Sequence, residues 1–200
     1  MRSRIRGEPL IPHSLVLANH SSWLDILILG GAGTAFVSKS EIAGIPMLGW
    51  LADQNQTLYI ARSERGGARD QIMRIRRALN DPKPLTVFPE GTTGDGRPLL
   101  PFRSTLLAAV APPPARVEVR PVAIDYGRDA RLLAWIGGEP ALANVIRILG
   151  LHGSREVTVY LLAPLEQNSD RKALARAAQE AIATALSSVN PRDALGAPTR

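Results

Sequence analysis

The chemistry of this chain begins with a histidine followed five residues later by an aspartate, in Asn19-His20-Ser21-Ser22-Trp23-Leu24-Asp25. Inside a continuous helix the two side chains would diverge, because five residues turn roughly 140° past alignment. Ser22 and Asp25, however, form an S-x-x-D capping box. The spacing therefore predicts a helix starting at Trp23, with Asp25 in its first turn and His20 just outside it. A chain bent at that cap lets the carboxylate reach back to one imidazole nitrogen. A histidine held this way is a general base, its tautomer fixed and its imidazolium stabilised by the carboxylate. The same spacing also fits a plain cap at Asp25 beside a surface His20. A metal is a poor third option, since one histidine and one aspartate leave its ligand set unfilled.

Two further segments suit anions. Phe88-Pro89-Glu90-Gly91-Thr92-Thr93-Gly94-Asp95-Gly96 follows a short apolar run that Pro89 ends, so Glu90 projects into a glycine-rich loop. Free N–H groups in such a loop can hold a phosphate or an oxyanion. No Gly-Lys-Ser/Thr follows, so this is not a Walker loop, and a plain turn with a solvated glutamate is the simpler alternative. In Tyr59-Ile60-Ala61-Arg62-Ser63-Glu64-Arg65-Gly66-Gly67, Arg62 and Arg65 precede a helical pattern. Guanidinium groups beside a helix N-terminus make an anion site, although two solvated arginines fit equally.

The elements that must position these residues follow an α/β rhythm. Strand candidates are Ser14–Ala18, Ala35–Ser38, Thr57–Ala61, Leu85–Phe88, Val117–Asp125 and Glu156–Leu162. Several are continuous apolar runs, as strands covered on both faces are. The reading is a mostly parallel or mixed central sheet of about six to seven strands flanked by helices. One helix is expected over Ala68–Leu79, where Ala68, Ile72, Ile75 and Leu79 share a stripe. Another is capped by Asp170 and carries Leu174, Ala178, Ile182, Leu186 and Val189 at helical spacing. Residues 1–190 read as a single domain and 191–200 as a flexible tail.

Composition narrows the chemistry. The chain has 200 residues and no cysteine, which excludes a disulfide scaffold, a thiol nucleophile and thiolate zinc sites. Hydrophobic residues at 45% and charged residues at 21% describe a globular chain rather than a disordered one. A net charge of +6 suits an anionic partner. Aromatics at 4% supply few stacking platforms, which argues against a nucleic-acid module. No G-x-S-x-G elbow surrounds Ser21 or Ser22, so a serine hydrolase is disfavoured. No run reaches the roughly 18 apolar residues of a membrane-spanning helix, and the chain reads as soluble or peripheral.

In this order and spacing the segments resemble the lysophospholipid acyltransferase family (1-acylglycerol-3-phosphate acyltransferase-like). His20 to Asp25 is similar to its H-x4-D block, Tyr59–Arg62 to its second, Phe88–Thr92 to its third and Val119-Arg120-Pro121-Val122-Ala123 to its fourth. Lys39-Ser40-Glu41 through Ile45-Pro46-Met47-Leu48-Gly49 matches a further stretch. The resemblance implies a glycerolipid acyltransferase-like fold and transfer of an acyl group to the free hydroxyl of a lysolipid, lysophosphatidic acid giving phosphatidic acid. Acyl-CoA or acyl carrier protein would be the co-substrate, with no other cofactor, no metal and no nucleic acid. His20 would remove the hydroxyl proton and Asp25 would orient the ring. Arg62 would hold the acceptor's headgroup, and Glu90, Gly91 and Thr92 would complete that site. Arg65 is added from local chemistry alone, and Pro121 would shape the pocket near the donor. Ile42, Ile45, Met47, Leu48, Trp50 and Leu51 would form an acyl tunnel or a membrane contact. The implied location is the cytoplasmic face of the bacterial inner membrane, attached peripherally.

Three departures stand out. Thr93 occupies the place of the third block's arginine, which leaves room for a phosphate-free acceptor such as a lyso-ornithine lipid. Phe102-Arg103-Ser104-Thr105 lacks the glycine common there, and only thirteen residues precede Ser14, where the family often has an apolar anchor.

Overall fold

The computed structural model describes residues 1–39, 49, 54, 57–60, 67–95 and 98–189. Arg62, Arg65, the apolar residues between Ile42 and Leu48 with Trp50 and Leu51, and the tail 191–200 lie outside the described residues. Seven strands make one mixed sheet: β1 (Arg2–Arg6), β2 (Ser14–Ala18), β3 (Ala35–Lys39), β4 (Leu58–Ile60), β5 (Leu85–Val87), β6 (Glu118–Asp125) and β7 (Glu156–Leu161). Their order is β1-β7-β6-β2-β5-β3-β4. Every neighbouring pair is parallel except β6 and β7. Helix α1 (Leu24–Gly31) follows β2, α2 (Gly67–Ala78) follows β4, and α3 (Ala130–Leu133) and α4 (Ala141–Leu149) lie between β6 and β7. Helix α5 (Arg171–Val189) closes the described chain, and a 3-10 turn at Leu106–Val110 precedes β6.

The apolar run of β2 is explained by burial on both faces. Leu15 and Leu17 enter a core with Ile75 and Leu79 at the end of α2 and with Leu174 and Ala178 of α5. Val16 and Ala18 enter the opposite core with Leu29 of α1, Phe36, and Val145 and Ile148 of α4. Side chains alternate across the sheet, so one strand feeds both layers. Each buried leucine contributes about 1.5–3 kcal/mol to holding the layers together. The α2 stripe lies as its spacing predicts, with Ile75 and Leu79 buried. Asp170 caps α5 by accepting the Lys172 N–H at 2.8 Å.

β1 and α4 were absent from the sequence-based expectation. Arg2-Ser3-Arg4-Ile5-Arg6 is exposed at every position and is held by its backbone register against β7. Its arginines keep that edge from pairing further. β2, β5 and β6 are parallel, so their C-terminal ends share one edge of the sheet, the edge where open α/β sheets bind ligands. His20, Phe88 and Tyr126 all follow strands ending there. Among the described residues no helix is long and apolar enough to cross a membrane.

Candidate active site

The bend after β2 brings the Asp25 carboxylate back to the His20 ring. Asp25 Oδ2 accepts three hydrogen bonds, from His20 Nδ1–H, Ser21 N–H and Ser22 N–H, each at 2.9 Å. Only half of the expected capping box forms, because the Ser22 hydroxyl turns to the Leu24 N–H at 3.4 Å. The helix accordingly starts at Leu24, with Trp23 as its cap. Asp25 Oδ1 accepts the Tyr126 hydroxyl at 2.5 Å, the length of a charge-assisted bond. Asp25 is wholly buried. Burial first, and then the Asp25 charge, pushes the Tyr126 phenol well above its ordinary range, so it stays protonated and donates.

A carboxylate only accepts, so Nδ1 carries the ring proton and Nε2 keeps its lone pair. No described residue takes Nε2, and the His20 side chain remains 16% exposed where it lines the cleft. Phe88 stacks on the imidazole, ring centroids 4.0 Å apart at 16°. Asn19 anchors the same loop to β6, donating to the Ile124 carbonyl at 3.0 Å and accepting its N–H at 2.7 Å. The histidine is held from every side but one.

Glu90 acts beneath this loop. Its Oε1 accepts the His20 backbone N–H at 2.7 Å and its Oε2 the Leu100 N–H at 2.9 Å. Burial pushes its carboxyl above the ordinary value, against the opposing pull of those two N–H groups. The Gly94 N–H returns a bond to the His20 carbonyl at 3.0 Å, joining the third block to the first.

Beside Nε2 opens a cleft of about 700 Å³, whose walls include Trp23, Phe36, Phe88, Thr92, Arg103 and Trp135. Gly91 has φ of +73°, which favours glycine, and the Arg103 side chain lies against it. The Thr93 hydroxyl donates to the Trp135 carbonyl at 2.7 Å, and the Trp135 N–H donates to the Ser21 carbonyl at 2.7 Å. The cleft wall is thereby tied to the histidine loop. Among the described residues no three His, Asp or Glu side chains gather as a metal would need.

A family model described as Acyltransferase matches residues 2–125. This chain belongs to the acyltransferase family. It is 40% identical to the lyso-ornithine lipid O-acyltransferase of Pseudomonas aeruginosa, over 92% of this chain and 71% of that protein. It is 32% identical to the protein of the same name from Rhodobacter capsulatus, covering 93% and 70% of the two chains. It is also 30% identical to the 1-acyl-sn-glycerol-3-phosphate acyltransferase of Neisseria gonorrhoeae, covering 88% and 71%. The crystal structure of the Thermotoga maritima 1-acyl-sn-glycerophosphate acyltransferase shares its fold, with a TM-score of 0.67 at 24% identity over 95% of this chain and 73% of that one. The protein is therefore an acyltransferase of the lysolipid type.

Within this acyltransferase the residues expected from sequence fall into three groups. His20, Gly91 and Thr92 line the cleft, with Asp25 directly behind His20. Glu90 and Pro121 do not line it. Both Glu90 oxygens are occupied by backbone N–H groups. Pro121 is buried in mid-strand opposite Leu17, four residues or about 13 Å before the end of β6. Arg62 and Arg65 lie outside the described residues. Sequence reasoning missed Tyr126 and Arg103. The signal for Tyr126 was its place one residue beyond a strand expected to end at Asp125. The signal for Arg103 was its basic side chain at the end of the third-block loop.

Proposed function

We propose that this acyltransferase moves a fatty acyl group from acyl-CoA or acyl carrier protein to the free hydroxyl of a lyso-ornithine lipid. The observation carrying the chemistry is the His20 ring, bound to Asp25 through Nδ1 and lining the cleft, which leaves Nε2 for the acceptor hydroxyl. Nε2 takes the proton of the acceptor hydroxyl as its oxygen attacks the thioester carbonyl carbon. The C–S bond then breaks, and the departing thiolate recovers the proton from the imidazolium. Asp25 stabilises that imidazolium, and no acyl-enzyme is needed. The apolar walls around Phe36, Phe88 and Trp135 suit a site that must keep water from the thioester.

The acceptor reading departs from lysophosphatidic acid for two reasons. Thr93, where the family's third block carries arginine, is neutral and spends its hydroxyl on the Trp135 carbonyl. Relatives at 40% and 32% identity bear the lyso-ornithine name, against 30% for the Neisseria glycerophosphate enzyme. An N-acylated ornithine keeps one free carboxylate, which the guanidinium of Arg103 in the cleft wall, together with Arg62, would bind. Gly91 and Thr92 would border the headgroup, while Glu90 would hold the His20 loop in place. The two donors are cytoplasmic molecules, so the reaction belongs at the cytoplasmic face of the bacterial inner membrane, with peripheral attachment.

Purified protein offered lyso-ornithine lipid and lysophosphatidic acid, each with both donors, tests this reading. The expected result is a higher kcat/KM for the ornithine acceptor. A preference for lysophosphatidic acid would overturn the acceptor, and transfer to neither would overturn acyl transfer altogether.

A further inference from the structure

Helix α4 carries two apolar faces, and the core uses one. Val145 and Ile148 are buried, whereas Leu142, Ile146 and Leu149 are 67%, 62% and 70% exposed. Their i, i+4, i+7 spacing puts these three on one stripe. Single exposed aliphatic residues are ordinary on a protein surface, but a contiguous stripe marks an interaction site. Leu132 and Ile136 add exposed side chains on the preceding segment, which Arg147 ties to α4 through the Leu132 and Ala134 carbonyls at 2.6 and 2.9 Å. That segment is also cleft wall, since Trp135, Gly137 and Glu139 line the cavity beside His20.

Charge indicates what covers this ridge. Arg128 and Arg131 are exposed and have no ion-pair partner among the described residues. Between residues 127 and 155 there are four arginines against two acidic residues. An apolar stripe with a guanidinium fringe complements anionic headgroups lying over hydrocarbon. A cleft that accepts lipids gains from having its mouth at that interface.

We infer that the outer stripe of α4 lies in the interfacial layer of an anionic lipid membrane and brings the cleft mouth to membrane-borne acceptor. The inference rests on the lysolipid acceptor proposed above. Its test is co-sedimentation of the full chain with vesicles of phosphatidylethanolamine and phosphatidylglycerol, alongside turnover of acceptor embedded in them. The triple variant Leu142→Gln, Ile146→Gln, Leu149→Gln should partition about a hundredfold more weakly, because three aliphatic side chains lose burial in hydrocarbon. Its turnover of a short-chain acceptor dissolved as monomer should equal wild type. The double variant Arg128→Gln, Arg131→Gln should lose about fivefold per arginine on these vesicles and nothing on pure phosphatidylcholine.

Wild-type partitioning by the triple variant would overturn the inference. So would a wild-type dimer that the triple variant dissolves, since the ridge would then be a contact between copies. A wild-type protein that transfers acyl groups to no lysolipid, yet loses vesicle binding with the triple substitution, would leave the surface standing and remove the acyl-transfer reading instead.

Discussion

Asp25, behind His20, and Glu139, in the cleft wall, each have both oxygens occupied, and of the two only Asp25 holds an imidazole. Asp25 is fully buried and takes donors from His20, Ser21, Ser22 and Tyr126. Glu139 is partly exposed and takes Arg147 Nε at 2.9 Å, Arg147 Nη2 at 3.0 Å and Asn144 Nδ2 at 2.6 Å. The difference lies in the partner. An imidazole that gives one N–H keeps a second nitrogen able to accept a proton, whereas a guanidinium has no acceptor at all. Glu139 raises the Arg147 guanidinium further above its ordinary value, and the pair ties α4 to the cleft wall. The buried network serves position and the surface network serves attachment.

The largest effects should come from breaking the Asp25 side. His20→Ala should lower kcat on the order of 10⁴-fold with the circular dichroism unchanged, because it removes the proposed general base. Asp25→Asn should cost on the order of 10³-fold, since the amide oxygen that keeps the Ser21, Ser22 and His20 bonds no longer carries the charge that stabilises an imidazolium. Wild-type turnover in either variant would end the mechanism. Glu90→Ala strips acceptors from the His20 and Leu100 N–H groups, so urea unfolding should report a loss of about 2–4 kcal/mol. A stability within experimental error of wild type would show that Glu90 does not hold the loop.

Smaller effects sharpen the contrast. Tyr126→Phe removes one donor from Asp25 and should lower kcat about tenfold with little change in KM. A rise in KM alone would mean that Tyr126 shapes the acceptor pocket instead. On the other side, Arg147 and Asn144 pull the Glu139 carboxyl down to about 2 from an ordinary 4.5. A folded value below the unfolded one stabilises the protein at pH above about 4.5, and that contribution is lost as pH falls through about 2. Glu139 is accessible to water and salt, so the effect is the weakest of the series. Glu139→Gln should flatten the acid limb of a stability-against-pH curve over that window; an unaltered limb would detach α4 from this ion pair.

The parts of the site legible in sequence were those closed by short loops. Asp25 reaches the N–H groups of Ser21 and Ser22 within one turn of chain, so a capping pattern was enough to orient it toward His20. Tyr126 is 101 residues away and meets Asp25 only through the pairing of Ala18 with Val122 across β2 and β6. In sequence Glu90 is a glycine-rich-loop residue, and nothing local shows that the His20 and Leu100 N–H groups converge on it. α4 escaped notice for a different reason. Leu142, Ile146 and Leu149 fill its outer face while Val145 and Ile148 fill its inner one, which blurs the periodicity that marks a helix. β1 has no apolar face to read, and backbone pairing with β7 recruits it, with an exposed Arg4–Glu156 ion pair beside the ladder.

From its sequence alone this protein determined the strand that delivers the histidine, the bend that turns an aspartate toward it, and the order of blocks that places it among acyltransferases. Those features depend on backbone geometry over a few residues. Tertiary structure alone decided which donor completes Asp25, that both Glu90 oxygens take backbone N–H groups beneath the histidine, and that one stripe of α4 stays outside. Each of those is settled by sheet register and layer packing, which join residues the chain keeps tens of positions apart.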